Sequence, residues 1–392
     1  MTSRQYILLA VCVALFALGQ FHRAAGAIAA PLWANDFALS AEQLGTVIGV
    51  IFIATIVTQA PIGAALDRFG PRLVLTLTIA LVALGTYACL WATGYETLLI
   101  ARIAIGTGLA STGIGMYLIL ARNFPAEDFG YLNGLMVTLG GIGGLAATYP
   151  LAALVESYGW RPVFAGLTFG TLALAAAIFL ATKPGATDAK PDQDTTTLKD
   201  LLATPGFPAI LLLSIVTYAP IVTITGLWGG PYFTDVHGLS LSTTGAILFA
   251  LFASTMVAGT VFGLLDKRGV SRRLTTVGAA LTSAICFAAT ALFTAQGPWL
   301  AATLFFAAIF AQNFYVPLLA ELKDRVPDAA IGRATSLFSI IAVGAIPVLQ
   351  TAYGAILART PDTTAGHENA LLTLAALIAT LSLAYLAATR RA

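Results

Sequence analysis

Two basic side chains, His22 and Arg23, stand side by side in the first long apolar stretch of the sequence, and a third, Arg102, stands in the fourth; no Asp or Glu falls at the middle of any such stretch. Charge among apolar neighbours is costly and persists where it is used. A buried guanidinium needs carbonyls, water or an incoming anion as its partner. Arg23 has two readings. In one it holds a carboxylate, a phosphate or an imide carbonyl of a solute by forked hydrogen bonds; in the other it ties its own helix to backbone carbonyls. Arg102 lies near the outer end of its stretch and can snorkel, which favours a helix-tying role. His22, with an ordinary pKa near 6.5, is suited to load and release a proton near neutrality; the alternative is a hydrogen-bonded packing histidine. Neighbouring residues on a helix point about 100° apart, so His22 and Arg23 do not both aim at one ligand. The other two histidines, His237 and His367, are expected in outer loops.

Amides recur in the apolar stretches (Gln20, Gln59, Gln312, Asn313, Gln350), as do aromatics including Tyr117, Tyr218 and Tyr353. Aromatic walls with a few donors suit a planar, partly apolar organic solute. Trp33, Trp228, Tyr232 and Trp299 lie near stretch ends and are expected in interfacial belts. The glycine run Gly140-Gly141-Ile142-Gly143-Gly144 and the glycines at 106, 108, 113 and 115 suit close helix packing. Prolines at 61, 150, 220, 317 and 347 are candidate kinks. The three cysteines are far apart, and the four methionines form no pair suited to a soft metal. His367-Glu368 lacks the second histidine of a metalloprotease helix, and no phosphate-cradling loop with lysine occurs. No cofactor and no metal site is expected.

The stretches that carry these residues dominate the chain. It has 392 residues, 58% hydrophobic and 10% charged, with a mean hydropathy of +0.87. A soluble domain needs about 25% charge to clothe its surface, so the composition argues against a soluble enzyme, a disordered chain or a nucleic-acid binder. Twelve stretches long enough to cross a bilayer in helix run over Tyr6–Ala29, Leu44–Leu66, Leu73–Thr93, Leu98–Ala121, Leu132–Val155, Pro162–Thr182, Ala209–Phe233, Thr244–Leu265, Leu274–Thr294, Trp299–Ala320, Ala334–Leu357 and Ala370–Ala388. Ala27-Ile28-Ala29 looks like a cleavage site, but the region before it carries only Arg4, and removal would leave eleven spans; the first stretch reads as a retained helix. The expected fold is an all-α membrane protein of two six-helix bundles, residues 1–182 and 209–392. A cytoplasmic linker, 183–208, joins them, with a short surface helix near Asp200.

Of the 20 basic residues, Arg23 and Arg102 lie within spans, Arg161 and Arg359 fall in outer loops, and the other sixteen face the cytoplasm when the amino terminus is placed there. That asymmetry predicts cytoplasmic termini.

The halves share one motif. After span 2 the sequence reads Gly63-Ala-Ala-Leu-Asp67-Arg68-Phe-Gly70-Pro71-Arg72; after span 8 it reads Gly263-Leu-Leu-Asp266-Lys267-Arg268-Gly269. Each puts an acid at a helix end, then basic residues, then a glycine three residues past the acid. The acid can accept from a neighbouring helix start, the basic residues can grip anionic headgroups or carboxylates, and the glycine permits a tight turn. With twelve spans and a central linker, this repeat resembles motif A of the major facilitator superfamily. Arg102-Ile-Ala-Ile-Gly106-Thr-Gly108 is similar to the family's motif B, and Gly159-Trp160-Arg161 to another common feature. Pro71 departs from a usual basic residue, the second copy is one residue shorter, and span 5 lacks the Gly-Pro core of antiporters.

The resemblance implies a secondary transporter working by alternating access in a bacterial inner membrane, as a monomer, with solute, lipid and protons as partners. It implies that spans 1, 4, 7 and 10 line the cavity. Arg23, His22, Tyr117, Tyr218, Gln312 and Asn313 then become candidate solute ligands and His22 the proton-coupling candidate. Gly63, Asp67, Arg68, Gly70, Arg72, Asp266, Lys267 and Gly269 become the conformational latch, and Arg102 a structural or coupling residue. The sequence is similar to importers in which a polar segment with arginine interrupts span 1. Riboflavin-like vitamins come first as cargo, a small organic anion second, copper third; efflux by antiport is the further alternative.

Overall fold

In a computed structural model the described residues are 3–183, 198–327 and 330–389, and every regular element among them is helical. Among the described residues twelve helices are long and apolar enough to cross a membrane: span 1 Arg4–Ala24, span 2 Ala41–Phe69, span 3 Pro71–Leu90, span 4 Tyr95–Asn123, span 5 Tyr131–Tyr158, span 6 Trp160–Ala181, span 7 Phe207–Val236, span 8 Leu241–Lys267, span 9 Arg272–Leu292, span 10 Pro298–Arg325, span 11 Ile331–Arg359 and span 12 Thr363–Thr389. Each overlaps one expected stretch. The chain is a multi-pass membrane protein. It divides into two units, Met1–Lys190 with Ser240–Ala246, and Pro191–Leu239 with Ile247–Ala392. Most of the expected linker, 184–197, lies outside the described residues; beyond it Leu198–Ala203 is a short helix.

Local chemistry sets the boundaries. Ser40 and Gln43 form a reciprocal capping box that starts span 2. Gly70 ends span 2 at φ 79° and hands over to Pro71 at the first turn of span 3. Gly269 takes φ 73° at the equivalent place after span 8, so both motif glycines occupy a backbone region that other residues avoid.

In the first unit, glycines let backbones meet. A Cβ on Gly106 would stand 2.5 Å from the Ile51 carbonyl oxygen of span 2, and one on Gly143 would overlap the Ala17 carbonyl of span 1. Span 1 does not stop at Ala29 as expected. After a turn at Ala25 it continues as the helix Gly26–Phe37, which fastens to span 6: Asp36 Oδ2 accepts from Trp160 Nε1 at 2.8 Å and Arg161 Nη1 at 2.9 Å. The Arg161 side chain is half exposed, and exposed ion pairs contribute little, so the indole bond carries most of the attachment. Asp36→Ala is expected to cost about 1–2 kcal/mol, read as a lower melting temperature. Asp36→Asn, which keeps one acceptor, should lose less. Equal melting of all three proteins would remove Asp36 from the fold's support.

Three of the four aromatics expected in interfacial belts are instead core. Trp33, Trp228 and Tyr232 are buried, while Trp299 is 66% exposed. Trp33 packs edge-on against Trp160 and Phe164, and Trp228 stacks on Tyr353 at 5.1 Å. His367 is also corrected. It is not in an outer loop but buried near the start of span 12, its Nδ1 3.0 Å from the Tyr353 hydroxyl of span 11.

The second unit has broken helices. Span 7 is α-helical over Phe207–Ser214, turns at 215–218, resumes over Ala219–Thr223, and contains two π-helical segments, Ile224–Trp228 and Tyr232–Val236. Span 10 tightens to a 3-10 turn over Gln312–Phe314, with Asn313 at ψ 18°. Broken helices and π-bulges recur where bundles hold ligands.

Candidate functional site

Arg23 lies in the last turn of span 1, next to the break at Ala25. Its Nη1 donates to the Gln20 side-chain carbonyl at 3.0 Å, one helical turn earlier. Both residues are half-buried, and among the described residues no carboxylate lies within ion-pair distance of Arg23. The cation thus has one neutral partner from its own helix and most of its donor fork uncommitted.

His22, one residue earlier, is 2% exposed, and its Nε2 has no hydrogen-bond partner among the described residues. Its ring meets Phe21 edge-on at 5.9 Å, and it lies within the electrostatic reach of Arg102. Arg102 is fully enclosed. Its Nε donates to the Val47 carbonyl at 3.3 Å, its Nη2 reaches the Ile48 carbonyl at 3.5 Å, and the guanidinium stands 5.4 Å from the centre of the Trp33 ring. These contacts join spans 4 and 2 to the extension of span 1. Tyr117 on span 4 is 43% exposed and leans on Phe129.

The other candidates belong to the second unit. Gln312 is buried; it accepts from Ser283 of span 9 at 2.5 Å and donates to the Val216 carbonyl in the turn of span 7. Asn313 donates to the Ile309 carbonyl at 2.8 Å within its own helix. Both amides therefore stabilise helix breaks inside the unit. Tyr218, half-buried, stands at the boundary where the helix of span 7 resumes and lies within electrostatic reach of Tyr315 just past the break of span 10.

The two motif loops differ in their pairing. Asp266 takes two bonds from Arg272, one of them Nη2 to Oδ2 at 3.1 Å, and Arg272 also donates to Asp324 at the end of span 10. In the first copy Asp67 is exposed and makes no ion pair among the described residues. Arg68 lies 5.1 Å from the Phe69 ring, and Arg72 covers Phe179 of span 6 at 3.9 Å. Lys267 is exposed, and a side chain at Gly63 would meet nothing within 4 Å.

One buried polar cluster has no counterpart in the sequence reading. Around His367 and Tyr353, the Trp228 Nε1 donates to the Gln350 carbonyl at 3.0 Å, and the Gln350 side chain donates to the Val222 carbonyl of span 7 at 3.3 Å. His237, in the loop after span 7, meets Tyr232 at 5.2 Å. Partial burial lowers the pKa of this imidazole. The unfolded chain takes the proton near the ordinary value of about 6.5, while the native state resists it. Stability should therefore be full above that value and fall as the pH drops below it. His237→Gln is expected to flatten the fall of melting temperature between about pH 7 and pH 5; an unchanged slope would contradict this.

A family model described as Major Facilitator Superfamily matches residues 9–351. Curated relatives include the riboflavin transporter RibZ of Clostridioides difficile, 26% identical over 188 residues, 47% of this chain and 40% of the relative. They also include the 4-hydroxybenzoate transporter PcaK of Acinetobacter baylyi, 27% identical over 168 residues, 41% of this chain and 35% of the relative. The chain thus spans less than half the length of these relatives. Among solved structures, a bacterial homologue of the human lysosomal transporter Spinster aligns over 100% of this chain and 98% of its own with a TM-score of 0.81. A D-xylose–proton symporter aligns over 98% and 97% with a TM-score of 0.79. Both are 16% identical and speak for the fold alone. The helical count, the repeated motif loops and the family match over most of its length meet in one conclusion: this chain belongs to the major facilitator superfamily.

Proposed function

We propose that the protein is a secondary transporter that takes up a planar, partly apolar organic solute across the bacterial inner membrane by alternating access, with both termini cytoplasmic. A riboflavin-like vitamin is the first substrate reading. The observation that carries it is Arg23, a half-buried guanidinium with one neutral partner and, among the described residues, most of its donor fork uncommitted. Such a fork matches an imide edge, and the exposed ring of Tyr117 on span 4 suits a flat ring system. A small aromatic carboxylate is the second reading, since the same fork binds a carboxylate in two-point fashion and one relative is named for 4-hydroxybenzoate. Copper is disfavoured, because Met256 is the only methionine on spans 7 and 8.

Proton coupling is assigned to His22, the only histidine of the first unit. His22→Ala is expected to abolish accumulation driven by a pH gradient while sparing solute exchange; an unchanged pH dependence would remove His22 from the mechanism. The substrate assignment is tested by thermal-shift screening of purified protein against flavins, aromatic carboxylates and Cu(I), repeated with Arg23→Ala. Stabilisation by a flavin that vanishes in the variant supports the reading. Stabilisation that survives the substitution overturns it.

A further inference from the structure

Three basic residues from distant parts of the sequence gather at the last turn of span 6. Arg72, at the start of span 3, places its guanidinium 3.9 Å from the Phe179 ring centre. Arg4, at the start of span 1, reaches the Ala181 carbonyl at 3.5 Å, the outer limit of a hydrogen bond. Lys183 follows two residues on and is exposed. The carbonyl end of a helix attracts cations, which explains why they meet there but not why there are three. The Nε of Arg72 is buried and has no hydrogen-bond partner among the described residues. No ion pair to a carboxylate is made by Arg4, Arg72 or Lys183 among the described residues.

The surface that continues from this cationic end is apolar. Spans 3 and 6 pack on one another, and Leu73 (47%), Leu77 (60%), Phe179 (44%) and Leu180 (80%) are exposed along them. A cationic end on an apolar, outward-facing helix pair has the shape of an amphiphile with an anionic head. The second unit repeats the arrangement. Arg273, at the start of span 9, donates from Nη2 to the Leu386 carbonyl of span 12 at 2.7 Å, and its Nε is likewise buried without a partner among the described residues. Spans 9 and 12 also pack together.

We propose that Arg4, Arg72 and Lys183 form a phosphate-binding site for an anionic phospholipid, whose acyl chains lie along spans 3 and 6. The phosphate diester accepts from the Nη groups of both arginines, while Phe179 keeps the Arg72 guanidinium flat and oriented. Placed at the end of the motif loop, the headgroup would bridge the starts of spans 1 and 3 to the end of span 6. This site is independent of the transported solute and of Arg23.

The test uses detergent-purified full-length protein and three additions: dioleoylphosphatidylglycerol, dioleoylphosphatidylcholine, and sodium phosphate at matched ionic strength. Phosphatidylglycerol is expected to raise the melting temperature by about 5 °C, with little change from the other two. In the double variant Arg4→Gln/Arg72→Gln the apparent affinity for phosphatidylglycerol should fall about 30-fold, as for loss of two basic side chains at a membrane surface. Arg359→Gln, at the far end of span 11, should leave it unchanged. Native mass spectrometry of the single variant Arg72→Gln, counting retained phosphatidylglycerol, serves if the double variant does not fold; loss of retained lipid supports the site. An unchanged response in the variants overturns the proposal. Equal stabilisation by sodium phosphate overturns the lipid as occupant, and equal stabilisation by phosphatidylcholine overturns the need for anionic charge.

Discussion

Gly143→Ala is expected to cost about 3 kcal/mol or more, because the added methyl would overlap a backbone carbonyl that has nowhere to retreat. The contact is with Ala17 of span 1, where the oxygen, the carbonyl carbon and the Cα all lie within overlap distance of the new atom. Backbone cannot change rotamer; the two helices must separate, and the loss spreads along their shared face. In a thermal melt this should appear as a fall of about 10 °C. Gly166→Ala on span 6 is the matched control: nothing lies within 4 Å of its new methyl, and alanine is the better helix former by about 1 kcal/mol. That variant should be neutral or slightly more stable. If both glycines behave alike, close approach of spans 1 and 5 is not what Gly143 serves.

Arg23→Gln should lower solute uptake about 100-fold, with the folded protein intact, since a charged, two-point donor facing a solute contributes several kcal/mol when its partner is desolvated. Arg23→Lys should recover only part of the loss, for an ammonium is a point charge and does not reproduce the planar fork. Gln20→Ala, which removes the one bond that now orients the guanidinium, should have a smaller effect than either. Uptake by Arg23→Gln at the level of the natural protein would leave the arginine with a structural role only.

Much of this architecture is legible in the residues. Twelve apolar stretches are unmistakable because the bilayer demands length and apolarity together, and the motif glycines at 70 and 269 stand where the turns require positive φ. What escapes the sequence is lateral. Trp33, Trp228 and Tyr232 look like interfacial residues from their distance to a span end, but a helix that runs past the expected boundary, as span 1 does through Phe37, carries such residues into the core. The same error displaces His367. A signal for it was present: only Thr360, Pro361 and Asp362 separate spans 11 and 12, so residues at similar distances on either side of that loop, Tyr353 and His367, stand level on antiparallel helices. Gln312 and Asn313 read as ligands because amides in apolar helices are rare. Hydropathy does not register that they also bond backbone carbonyls, Val216 in the turn of span 7 and Ile309 one turn earlier in span 10. Pairing inside the motif loops was equally hidden, since identical acids at matched places, Asp67 and Asp266, differ in whether an arginine such as Arg272 folds back on them.

Solute counterflow in proteoliposomes tests the central assignment most directly. Vesicles holding the purified protein and loaded with unlabelled riboflavin should take up external labelled riboflavin transiently and saturably, and those holding Arg23→Gln should not. Loading with 4-hydroxybenzoate separates the vitamin from the aromatic carboxylate. Counterflow of equal size in the natural protein and in Arg23→Gln, for whichever solute is carried, would contradict the placing of that guanidinium on the solute's path.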